Sequence, residues 1–90
     1  MTTNFRVVDL DSQARAVARH VKGWPRAQVL AWLALHGTVK LALHGMPEHW
    51  STDHFVFYSP YGPVTHFSLT PTGDFFLMGD HTIIPVTPSG

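Results

Sequence analysis

Apolar positions recur at two different periods along this 90-residue chain, and the period changes at Gly37. From Ser12 to Lys22, Ala14, Val17, Ala18 and Val21 fall in one sector about 100° wide on a helical wheel, the stripe by which an amphipathic helix packs on a core. Asp9 or Asp11 supplies a candidate N-cap, and Gly23 followed by Pro25 supplies the stop. The next segment, "WPRAQVLAWLALHG", predicts a second helix with Pro25 at its first position and Gly37 in a left-handed terminal conformation. Its apolar residues, Val29, Leu30, Trp32, Leu33 and Leu35, surround the axis, which predicts burial on most sides.

Beyond Gly37 the pattern alternates. "TVKLAL" (38–43) sets Val39, Leu41 and Leu43 against Thr38, Lys40 and Ala42, the period of a half-buried strand. The pentapeptide "LALHG" therefore occurs once at a helix end and once at a strand end, so His36 and His44 need not meet. One continuous helix from Pro25 to Leu43 is the competing reading. "HFVFYS" (54–59), "VTHFSLT" (64–70), "FFLM" (75–78) and "HTIIPV" (81–86) are short aromatic and β-branched runs, separated by "PYGP", "PTGD" and a Gly-Asp step.

These elements predict an α+β fold, two N-terminal helices packed on one face of an antiparallel five-stranded β-meander. The chain is read as one small domain: an N-terminal segment 1–10, two helices in 11–37, a sheet in 38–86 and a tail 87–90. A "PYGP" hairpin pairing Ser59 with Val64 assigns His54, Val56, Tyr58, Thr65, Phe67 and Leu69 to one face and Phe55, Phe57, Val64, His66 and Ser68 to the other. Two helices cover one face, so the second is expected to expose Phe55 and Phe57 as an interface. The simplest occupant is a second copy related by a two-fold axis.

Composition sharpens this picture. Apolar residues make up 44% of the chain and charged residues only 13%, about half the usual ~25%. Such a sequence is not disordered, and a small domain so poor in charge is expected to cover part of its surface with a partner. Cysteine is absent, which removes disulfides, thiolate metal sites and cysteine nucleophiles. The N-terminus lacks the apolar core of a signal peptide and no apolar run reaches membrane-spanning length, so a cytoplasmic protein without membrane contact is expected. Net charge is zero but divided: residues 1–40 hold all six basic side chains against Asp9 and Asp11, and residues 41–90 hold four acids and no Lys or Arg. Arg15, Arg19 and Lys22 form a basic row on the first helix, a candidate electrostatic surface for a partner.

Candidate chemistry centres on seven histidines. His44, His49 and His54, with Asp53, crowd one stretch and comprise the donor types of a divalent transition metal site. No H-E-x-x-H or other regular ligand spacing accompanies them, and strand neighbours such as Asp53 and His54 point to opposite faces, so no metal or other cofactor is expected. His54 or His66 beside Tyr58, Ser59, Ser68 or Asp53 are the candidates for acid–base or nucleophilic work, without a nucleophile elbow or a phosphate loop. The basic first helix allows weak, salt-sensitive nucleic-acid binding, although the second helix is too apolar to read a major groove. Function is therefore expected to be that of a small non-catalytic protein-interaction module, of the inhibitor, antitoxin, immunity or phage-regulator kind. The alternatives are a His/Asp metal-dependent enzyme on residues 44–54 and a nucleic-acid-binding accessory protein.

Overall fold

The computed structural model describes residues 5–43, 53–79 and 82–86. Two helices, α1 (Ala14–His20) and α2 (Arg26–Ala34), precede five strands, β1 (Thr38–Leu43), β2 (Asp53–Tyr58), β3 (Val64–Leu69), β4 (Phe75–Gly79) and β5 (Thr82–Pro85). The strands form one antiparallel sheet in the order β1-β2-β3-β4-β5, so the predicted α+β meander is the observed fold.

The helix starts differ in detail from the sequence reading. α1 begins after Gln13, whose side-chain oxygen accepts the backbone N–H groups of Val8 and Asp9 at 2.7 and 2.8 Å while its amide nitrogen donates to Arg6 O at 3.0 Å. Asp9 instead accepts the Asp11 N–H at 3.2 Å within the preceding turn. Gln13 thereby pins the N-terminal segment to the helix it opens. α2 begins after Pro25, which caps it in an extended conformation.

α2 is not buried on most sides. Val29 and Leu33 enter the core and Leu30 and Trp32 are half-buried, but Ala27, Ala31 and Ala34 are exposed and Leu35 is 81% exposed. A single helical layer over a sheet can shield one side of α2, and the alanines make the remaining side inexpensive to hydrate. Gly37 also has a different role from the one its position suggests. Its backbone is not left-handed; a Cβ there would lie 2.6 Å from Tyr58 O and 2.7 Å from the Phe57 ring, so the helix–strand joint passes tightly over β2.

Strand register decides which side chains meet the helices. The β2–β3 pairs are Phe55↔Phe67, Val56↔His66, Phe57↔Thr65 and Tyr58↔Val64, one residue away from a Ser59↔Val64 pairing. The reason lies in the turn. Ser59 N–H donates to Pro63 O at 2.9 Å and Gly62 N–H to Ser59 O at 3.1 Å, closing a three-residue loop, Pro60-Tyr61-Gly62, whose glycine has φ +112°. Left-handed glycine at the third loop position is the requirement of this hairpin type. The β3–β4 connection repeats it with Pro71-Thr72-Gly73: Thr70 N–H donates to Asp74 O, Gly73 N–H to Thr70 O, and Gly73 has φ +92°.

In this register Phe55 and Phe57 face the helices, which corrects their expected exposure. Phe57 is fully buried and Phe55 is 6% exposed, in one cluster with Val7, Leu10, Val17, Val21, Val29, Leu33, Phe67, Leu69 and Phe75. Phe55 stacks on Phe67 at 5.7 Å between ring centroids, and Phe67 on Phe75 at 5.4 Å, so an aromatic row crosses three strands beneath the helices. The other face carries Thr38, Lys40, His54, Val56, Tyr58, Val64, His66, Ser68, Phe76 and Met78 by register. No helix of the described residues is long and apolar enough to cross a membrane.

Candidate functional site

Exposed apolar side chains concentrate at the β2–β3 hairpin end of the molecule. Among the described residues the large exposed ones are Val8, Leu35, Leu41, Tyr58, Tyr61, Val64 and Ile84. Five of these belong to one end. Tyr58 and Val64 close the hairpin as direct partners, and Tyr61 forms its tip. Val8 is held there because Ser59 Oγ donates to its carbonyl at 2.7 Å. Leu35 sits at the end of α2 and borders a hollow of about 190 Å³ with Arg6, His36, Pro60 and Tyr61.

The same end carries positive charge. Arg6 donates to the Tyr61 hydroxyl at 2.7 Å, and Lys40 Nζ lies 5.8 Å from the Tyr58 ring centroid. The sheet carboxylates Asp53 and Asp74 stand at the opposite end, at the start of β2 and just before β4. The hairpin end therefore gathers exposed apolar side chains from the helix side and from the outer sheet face, with Arg6 and Lys40 beside them and Asp9 next to Val8 in the chain.

Behind it, five rings support the N-terminal segment. Trp32 packs against Phe5 (5.6 Å), His20 (4.7 Å), His36 (4.6 Å) and Trp24 (6.1 Å, edge-on). His36 Nδ1 accepts the backbone N–H of Val7 at 3.2 Å, tying the end of α2 to a fully buried residue of that segment. Burial lowers the His36 pKa, with Arg6 and His20 adding in the same direction; burial, then His66, lowers that of His54. Their ordinary value is 6.5. The folded state thus binds fewer protons than the unfolded state just below pH 6.5, so stability is full above that pH and falls as acid is added. Protonation also turns His36 Nδ1 from an acceptor into a donor facing another donor. Urea midpoints measured between pH 8 and pH 5 are expected to decline below about 6.5, and His36→Gln to flatten the decline; a midpoint that rises on acidification contradicts it.

The structure separates the other residues singled out from sequence. Phe55 and Phe57 lie in the core, as above. Val64 is half exposed and His66 is exposed, both on the helix-free face. Arg15, Arg19 and Lys22 are exposed, Arg15 and Arg19 on α1 and Lys22 in the turn after it. Asp53 and His54 diverge. Asp53 Oδ2 is 3.7 Å from Arg26 Nη1 on the core side, whereas His54 Nε2 lies 3.2 Å from His66 Nδ1 on the outer side, so the two are not joint metal ligands. His44 and His49 lie outside the described residues. No group of three or more His, Asp or Glu that could hold a metal occurs among the described residues.

Arg6, Val8, Leu35 and Tyr61 escaped sequence reasoning. The available signal was "SPYGP": a proline-initiated loop ending in glycine must present its middle residue to solvent, and that residue is an aromatic. No protein-family model, curated protein or solved structure matches this chain.

Proposed function

We propose that this chain is a small non-catalytic protein-interaction module that docks a target protein with its β2–β3 hairpin end. One observation carries the reading: Val8, Leu35, Tyr58, Tyr61 and Val64, five of the seven large exposed apolar residues among those described, share that end. Clustered exposed apolar side chains mark protein interfaces, and a tyrosine that becomes buried on docking beside an arginine is the kind of anchor on which binding energy concentrates. Arg6 and Lys40 at its margin select a target bearing carboxylates beside an apolar patch, through faster encounter and favourable pairing at the rim. Self-docking by a two-fold axis would bring two Arg6 and two Lys40 side chains into one interface, which favours a different chain as the occupant.

A photo-crosslinking residue in place of Tyr61 tests this in the host cell, with the same residue in place of the exposed Gln28 as the control. A discrete protein adduct is expected from position 61, absent from position 28, and lost when Leu35→Asp or Arg6→Glu is added. An adduct that survives both substitutions, or none from position 61, overturns the assignment. Solution mass is expected to be that of a monomer; a dimer dissociated by Leu35→Asp assigns the same surface to a second copy and overturns the choice of partner.

A further inference from the structure

The outer sheet face holds a pair of imidazoles that the hairpin-end surface does not use. His54 on β2 stands opposite Ser68, and His66 on β3 stands opposite Val56, so the two histidines are diagonal neighbours on one face of an antiparallel pair. Their rings lie 5.3 Å apart between centroids, with His54 Nε2 and His66 Nδ1 facing each other at 3.2 Å. Two nitrogens bound to one tetrahedral zinc at about 2.0–2.1 Å are separated by roughly 3.3 Å. The strands already hold the donors at close to that spacing.

Two facing ring nitrogens cannot both present lone pairs without something positive between them. In the metal-free protein a single N–H placed on one ring satisfies the pair. A cation about 2.0–2.1 Å from both nitrogens lies to one side of the line joining them, and it can bind if the proton moves to the far nitrogen of the same ring, Nδ1 of His54 or Nε2 of His66, a tautomer change that leaves both imidazoles neutral and releases no proton. Backbone pairing from Asp53↔Leu69 to Tyr58↔Val64 fixes both side chains on a continuous ladder, so little ordering is required on binding.

We propose that His54 and His66 form a two-imidazole chelate for a borderline divalent transition cation such as Zn²⁺, with its remaining positions left to water or to a donor on a bound molecule. Carboxylate-preferring Mg²⁺ and Ca²⁺ are not expected to bind two neutral imidazoles. The sequence reading placed His54 with His44, His49 and Asp53; the sheet register pairs it with His66 instead.

Zn²⁺ alone is the first probe, titrated calorimetrically into the full chain at pH 7.5, with imidazole ¹⁵N resonances followed in parallel. One equivalent is expected to shift His54 Nε2 and His66 Nδ1 together. His54→Ala and His66→Ala are each expected to weaken binding about a hundredfold, because a chelate becomes a single ligand. The wild-type resonances report the site even if a variant folds poorly. Zinc that shifts other imidazoles and leaves these two unmoved, or affinity kept in either His54→Ala or His66→Ala, overturns the proposal.

Discussion

Phe57→Asp is expected to leave no folded population even without denaturant. Phe57, on β2, is fully buried between the sheet and the helices, with its ring close to Gly37. Truncating such a phenylalanine costs about 3–5 kcal/mol, and a carboxylate left without a partner in that site adds several more. A domain of this size has a total stability near the lower end of about 5–15 kcal/mol. Far-UV circular dichroism and amide dispersion in an NMR spectrum read the outcome directly. Tyr58→Asp, one residue along the same strand, provides the contrast: its side chain points to the outer face, is exposed, and lies beside Lys40, so the variant is expected to stay folded within about 1 kcal/mol of the parent. A folded Phe57→Asp protein together with an unfolded Tyr58→Asp protein would show that β2 has the opposite face inward.

Gly73→Ala is expected to cost at least about 3 kcal/mol, although it adds a single methyl group. The residue has φ +92°, where an L side chain costs about 1–2 kcal/mol, and its Cβ would collide with the Trp24 carbonyl oxygen. That oxygen is backbone, in the segment between α1 and α2, so it cannot swing aside as a side chain would. Gly23→Ala separates the two terms. Gly23 has φ +84° but nothing within 4 Å of a Cβ, so its substitution is expected to cost only the left-handed penalty, about 1 kcal/mol. The difference between the two variants in urea unfolding isolates the clash. Equal losses would mean that the β3–β4 loop does not press on the interhelical segment.

Element order was readable from the sequence because every transition carries its own punctuation. Gly23-Trp24-Pro25 separates the helices, the change from helical to alternating period occurs at Gly37, and each β-hairpin has a Pro or Gly signal. Face assignment failed for a local reason. Both faces of β2 and β3 are apolar enough that hydrophobic alternation does not distinguish Phe55 and Phe57 from Val56 and Tyr58, so the hairpin loop alone sets register. Counting Pro63 into that loop, instead of pairing its carbonyl with Ser59, shifts the register by one and re-sorts the two faces. The hairpin-end surface was hidden for a different reason: it assembles Val8, Leu35 and Tyr61 from three separate elements, which no periodicity within one element can reveal. His54 and His66 are twelve residues apart and become neighbours only once the register is known.

The order of the strands also bears on how the chain reaches this state. Every pairing in the sheet joins strands that are consecutive in sequence, and two of the connections are three-residue loops that cost little entropy to close. Sheets made of such local pairings form faster than those that wait for distant segments. During synthesis the helices precede the sheet, and each hairpin can add to an edge already in place without displacing an earlier strand. At the β5 edge, Pro85, opposite Phe76, has no N–H to offer a further strand. The fifth strand thus also blunts that edge against another molecule.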